Sequence, residues 1–404
     1  MFLCFNHSVL ACLAWLSLAT ATNLYATHYS GTVSTLSLDR DNNGSYLLSL
    51  ASSLETCGSM PSWLTFDSTS RILYCSDETG DASIDGSVTS LAAGQDGTLT
   101  DITTATAPGG GVDSVIYNGD DGARYLAIAH YTGSAVSTFR LPLDSNSETL
   151  QVFHYNLSQP GQEPQQDAPH PHQVFLDPSG SFILAPDLGA DLVRVYAINN
   201  TTGELDSHCS DLTFPAGSGP RHGLFWENSH PILTSQLKTR KQDDVFLYTV
   251  NELDGHLKAF TVSYTPDGCL SFKEIQSFVP YPEGQLPEGA TLSEIRQAGD
   301  YLYVSIRTDH GFPPNDSIAT LDRSSNGTVA FRDLTSSYGT VPRTLVINKA
   351  GDLVAVGDQA SSNVAIVARD PASGELGEEV ASLKIGDPGQ VGTAQGLSSV
   401  VWDE

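Results

Sequence analysis

Three residues able to bind or move charge each follow a proline: His172 after Pro171, Arg221 after Pro220 and Arg343 after Pro342, with Ser62 after Pro61 as a neutral counterpart. A guanidinium stays charged when desolvated, and its planar fork grips a carboxylate through two parallel hydrogen bonds. An imidazole can shuttle a proton near neutral pH. Glu252 could act as a general acid or base if its surroundings move its pKa toward neutrality. These residue types together suit a small anionic guest on which a proton is moved. Each also has an architectural reading. Arg221, Arg296 and Arg343 could pair with carboxylates such as Glu294 to hold neighbouring elements, Glu252 could be the structural partner of Arg221, and His172 could bond a backbone carbonyl. A metal site of His170, His172 and Glu252 has little support from its irregular spacing, and no cofactor is expected.

What must position these residues is a set of short strands; helical periodicity is absent over any long window. Seven similar apolar triplets recur, Leu24-Tyr25-Ala26, Leu73-Tyr74-Cys75, Tyr125-Leu126-Ala127, Phe182-Ile183-Leu184, Phe246-Leu247-Tyr248, Leu302-Tyr303-Val304 and Leu353-Val354-Ala355, at a period suited to propeller blades. A preceding strand accompanies six of them: Trp63 to Phe66, Ser114 to Tyr117, His172 to Leu176, His222 to Trp226, Glu294 to Arg296 and Thr344 to Asn348. The missing seventh stands at the other end as Leu397 to Trp402. The expected fold is therefore all-β, a seven-bladed β-propeller closed by pairing of the C-terminal strand with the N-terminal blade, which removes exposed sheet edges. Propeller first strands line a central channel, so the three residues after proline share one slot around its mouth. Glu252 ends a second strand, where other units carry Thr132, Leu188, Arg307 and Gln359. Gln159 to Asp167 reads as a long inter-blade loop.

Val9 to Leu18 is an apolar run of signal-peptide length followed by Ala19-Thr20-Ala21, a small-x-small cleavage pattern. Residues 1–21 are expected to be a leader and 22–404 one domain, secreted and extracellular. Sequons at Asn43, Asn156, Asn199, Asn200, Asn315 and Asn326 fit a glycoprotein. Loss of the leader removes Cys4 and Cys12 and leaves Cys57, Cys75, Cys209 and Cys269. Three disulfide pairings are open to these four, with Cys57–Cys75 and Cys209–Cys269 the preferred one. The formal charge of −28, with 19 Lys and Arg, argues against nucleic acid or an anionic membrane as partner.

Several stretches resemble the family of seven-bladed lactonase-type propellers that includes carboxymuconate cyclase and 6-phosphogluconolactonase. They are His170-Pro171-His172-Gln173 through Gly180, Pro186-Asp187-Leu188-Gly189-Ala190-Asp191, Gly217-Ser218-Gly219-Pro220-Arg221-His222, Val250-Asn251-Glu252-Leu253, Ser293-Glu294-Ile295-Arg296 and Pro342-Arg343. The resemblance implies a catalytic site of His172, Arg221, Glu252 and Arg296. Arg343, His222, His170 and Arg307 are the expected substrate-binding neighbours. The resemblance implies a lactone-forming or lactone-hydrolysing enzyme acting on a small carboxylated substrate, and because the fourth position resembles an Arg in the cyclase branch, Arg296 leans toward the carboxymuconate cyclase side. A sugar lactone hydrolase and a non-catalytic binding propeller are the alternatives.

Overall fold

A strand packed between two neighbouring sheets buries both faces and needs no polar alternation, which is why the recurring triplets are so uniformly apolar. In the computed structural model, which describes residues 22–226 and 245–404, Leu24-Tyr25-Ala26 and Leu353-Val354-Ala355 are buried throughout. The expected leader falls outside the described residues. The strands form seven sheets, each the blade of a propeller. Blade 1 is closed by the C-terminus: Leu397–Trp402 pairs antiparallel with Thr22–His28 in the register Leu24↔Trp402 and Ala26↔Val400. Blades 2 to 7 start from inner strands Pro61–Asp67, Gly111–Asn118, Phe175–Leu176, Pro220–Phe225, Thr291–Ala298 and Pro342–Ile347.

The cores lie between blades. One apolar cluster joins Leu24 and Leu397 of blade 1 to Val364 and Ile366 of blade 7; another joins Tyr248 and Val250 of blade 5 to Ile295 and Val304 of blade 6. Hydroxyl latches reinforce them. Tyr117, Tyr248 and Tyr303 donate to the carbonyls of Gly203, Gly327 and Gly374 in the next blade, at 2.6, 2.8 and 2.7 Å. The disulfides Cys57–Cys75 and Cys209–Cys269 are the pairing preferred from sequence. The second joins the outer edge of blade 4 to a turn of blade 5.

Proline sets where the inner strands begin. It lacks a donor, so it fits the first residue of a strand, and Pro61, Pro220 and Pro342 pair with Asp77, Asn251 and Asp358. In each case the register then skips one residue, making Ser62, Arg221 and Arg343 the bulged positions. A bulge re-aims a side chain, and here it turns the residue after proline into the axial channel. His172 arrives differently. Pro171 pairs with Asp187 only as an isolated bridge, and regular strand resumes at Phe175 rather than at His172. The intervening backbone is held by side chains: Val174 N donates to Asp113, and Gln173 accepts from Gly223 N.

Candidate active site

Below the bulge, the next residue of each inner strand also faces the channel, because the bulge keeps two successive side chains on one side. Trp63, Asp113, Gln173, His222, Glu294, Thr344 and Ser399 are all buried there. Trp63 of blade 2 meets His222 of blade 5 with ring centroids 5.9 Å apart, so the layer plugs the channel at its waist. Above this plug opens a cavity of about 360 Å³.

His172, Glu252, Arg307 and Arg343 all line that cavity, and Arg221 lies directly beneath it. Arg221 Nε is 2.8 Å from Glu252 Oε2, an ion-pair contact off hydrogen-bond geometry, and its Nη1 donates to Ser293 O at 2.8 Å. Arg307 Nη1 approaches Glu252 Oε1 at 3.7 Å. Arg343 reaches Glu78 Oε2 at 3.4 Å and Ser62 Oγ at 3.3 Å. Three guanidiniums thus face two carboxylates, and the cavity is locally cationic within a strongly acidic chain.

Burial disfavours charge on this crowded set, and the arginines repel one another. Burial, followed by Arg307 and Arg343, pushes the Arg221 guanidinium down to about 9 against the pull of Glu252, which still leaves it charged at neutral pH. Burial, aided by Arg343, also leaves Arg307 lowered against the pull of Glu252. Arg343 is raised despite its burial, because Tyr29 and Glu78 favour its charge. Burial, then Arg221 and His222, holds His172 well below the ordinary imidazole value, so its ring is neutral. Among the described residues, several buried donors have no partner: Arg307 Nε and Nη2, Arg343 Nε and the Nδ1 position of His172.

The other expected residues lie behind this shell. His222, buried under His172 with ring centroids 5.2 Å apart, bonds Glu294 Oε1 through Nδ1 at 3.0 Å. His170 stacks on Tyr131 at 4.1 Å and spends both ring nitrogens on Tyr131 O and Asp167, so neither is free for a metal. Arg296 is not brought to the cavity. It lies two residues beyond Glu294, in a half-buried layer with Thr65, Phe175, Leu224 and Val346 on the far side of the plug. There it contacts Glu294 at 3.4 Å and donates to Leu345 O at 3.1 Å.

Strand register also corrects the slot of Glu252. The residue after the partner of each inner-strand start is Tyr29, Glu78, Tyr131, Leu188, Glu252, Thr308 or Gln359, not Thr132 or Arg307. All but Leu188 line the cavity. Glu78, Tyr29 and Tyr131 went unseen in the sequence. Glu78 carried a usable signal, since it lies five residues after Leu73 as Glu252 does after Leu247, and Leu73 and Leu247 pair with equivalent Phe66 and Phe225. Gln165, from the Gln/Pro-rich loop, and the segment Val391 to Ala394 complete the wall.

The family described as Lactonase, 7-bladed beta-propeller, matches residues 20–393. The chain belongs to this lactonase family. Among relatives of this lactonase-family propeller, a protein of Arthroderma benhamiae named probable 6-phosphogluconolactonase is 30% identical over 82% of the chain and 80% of that relative. The 6-phosphogluconolactonase of Bacillus subtilis is 26% identical over 64% of the chain and 66% of its own length. The structure of the Pseudomonas aeruginosa periplasmic gluconolactonase superposes with a TM-score of 0.71 at 24% identity, covering 95% and 99% of the two chains, which is a likeness of fold. These names favour the sugar lactone hydrolase alternative over the cyclase reading, whose support in the sequence was Arg296.

Proposed function

We propose that the protein is a lactonase that adds water across the ester of a small sugar-type lactone. The observation carrying this reading is the set of unpartnered buried donors on Arg307, Arg343 and His172 beside the Glu252 carboxylate. Donors fixed in advance and shielded from water are what a developing oxyanion requires.

Glu252 is the general base in this scheme. It takes a proton from water as the oxygen bonds to the lactone carbonyl carbon, and the negative charge moves to the carbonyl oxygen facing Arg307 and Arg343. Collapse restores the carbonyl, breaks the bond to the ring oxygen, and returns the proton from Glu252 to that leaving oxygen. The product is an open-chain hydroxy acid. Arg221 holds Glu252 from below. The neutral His172 ring donates or accepts a hydrogen bond on the substrate without placing a second charge beside the arginines.

Glucono-δ-lactone hydrolysis followed in a pH-stat tests the scheme. Glu252→Gln should lower kcat by about 100-fold or more, the usual scale for losing a general base. A wild-type protein with no rate above background, or a Glu252→Gln variant equal to wild type, overturns it. We also read the protein as exported and glycosylated, since its two disulfides suit an oxidising compartment.

A further inference from the structure

Glu78 holds in blade 2 the slot that Glu252 holds in blade 5, and the hydrolytic scheme gives it no task beyond balancing Arg343. Its surroundings say more. Its side-chain contacts, from Tyr29 Oη at 2.5 Å, Ser62 Oγ at 2.7 Å and Arg343 Nη2 at 3.4 Å, all end on Oε2. The carboxylate lines the cavity and is 15% exposed. Oε2 is therefore pinned by three donors, and Oε1 remains as an acceptor on the cavity side. Nearby Gln359 commits its Nε2 to Thr393 O at 2.7 Å, which turns its amide oxygen into another acceptor. Thr308, also in the wall, gives its hydroxyl proton to backbone carbonyls, Gly289 O at 2.6 Å or Arg307 O at 2.8 Å, and can offer only lone pairs.

The cavity wall thus presents the acceptors of Glu78, Gln359 and Thr308 beside the donors of Arg307, Arg343 and His172. Acceptors fixed in advance select hydroxyl groups, because a hydrocarbon segment placed there leaves a carboxylate desolvated and unpaired. We propose that Glu78 is a specificity residue that accepts hydrogen bonds from the hydroxyls of a polyhydroxylated lactone. This rests on the lactonase reading and names the part of the substrate that the scheme above leaves unassigned.

The test compares glucono-δ-lactone with δ-valerolactone, which has the same six-membered ring without hydroxyls. In Glu78→Gln the ratio of kcat/KM between the two should fall about tenfold or more, the scale of losing a hydrogen bond to a charged acceptor, with the change in KM. Tyr29→Phe, which removes one of the three pins and keeps the carboxylate, should move the ratio the same way by less. A ratio within about twofold of wild type, in a variant whose Tm shows that it is folded, overturns the proposal. So does a fall in kcat alone, which marks a catalytic or structural role. Calorimetry with gluconate and hexanoate reads the same contrast without turnover, so a wild-type protein that opens neither lactone sinks the lactonase reading and still decides Glu78. Selective weakening of gluconate binding in Glu78→Gln supports the assignment, and equal change for both acids, or for neither, refutes it.

Discussion

The ion pairs of the channel differ in what holds them. Glu252 sits at the cavity wall, whereas Glu294 is wholly enclosed between His222 and Arg296. Burial alone would raise Glu294, but Arg296 and then His222 outweigh it and draw its carboxyl down to about 2, while burial draws His222 down to about 4. The pair is a carboxylate with a neutral imidazole that donates Nδ1–H. A depressed carboxyl contributes stability above its unfolded pKa and loses it as pH falls through the folded one. Glu294→Gln should therefore destabilise the protein by about 3 kcal/mol at pH 7, the scale contributed by a carboxyl drawn from 4.5 down to about 2. The gap from wild type should close as pH falls from about 4.5 toward 2. Thermal or urea unfolding of both proteins across that range checks it, and a gap independent of pH contradicts the assignment. Arg296 belongs to this support and not to the cavity wall, so its substitution should act on stability before it acts on substrate binding.

At the scale of elements, two local devices recur. The first is the proline-started inner strand with its bulge, which gives Ser62, Arg221 and Arg343 equivalent poses in three blades. The second is the turn glycine beneath an aromatic ring. Gly203, Gly327 and Gly374 have positive φ, and a Cβ on them would fall 2.0, 2.1 and 2.3 Å from Tyr125, Phe246 and Tyr301. No rotation of a packed ring opens that much room. Gly203→Ala should cost about 2 kcal/mol or more, combining a strained backbone with overpacking. Gly268→Ala, where φ is also positive but the space is open, should cost less because only the backbone term applies. Denaturant midpoints of the two variants separate the contributions, and equal losses would remove the ring contact from the argument.

For the whole molecule, closure matters most. Seven sheets share inter-blade cores, and blade 1 is built from both ends of the chain. Truncation after Gly396 removes the strand Leu397–Trp402, including Leu397, Val400 and Trp402 of the core shared with blade 7. It also leaves Thr22–His28 as an unpaired inner edge, which invites association between chains. The truncated protein should elute as aggregates in size-exclusion chromatography and unfold at a Tm well below the full chain. A monomeric variant of unchanged Tm would mean that ring closure contributes little. The same closure carries the loop around Val391 to Ala394 onto the cavity rim, tying the wall of the site to the seam of the ring.

The amino-acid sequence by itself determined the repeat, the displaced seventh inner strand and four residues of one cavity, His172, Glu252, Arg307 and Arg343, with Arg221 beneath them; among three possible disulfide pairings it only favoured the one that the structure shows. These are legible because proline, paired apolar runs and turn glycines state local backbone geometry, and equal local geometry in each blade points equivalent side chains at one axis. The tertiary structure alone decided the depth of each residue along that axis. One extra residue in an inner-strand bulge shifts every later side chain of that strand, which places Arg296 on the far side of the plug, and the pairing of each inner-strand start puts Tyr131 and Thr308 rather than Thr132 and Arg307 in the slot of Glu252. It also decided that Glu78 and Tyr29, 49 residues apart in sequence, meet at 2.5 Å. Such a contact follows from how blades stack around the ring, which no local run of residues encodes.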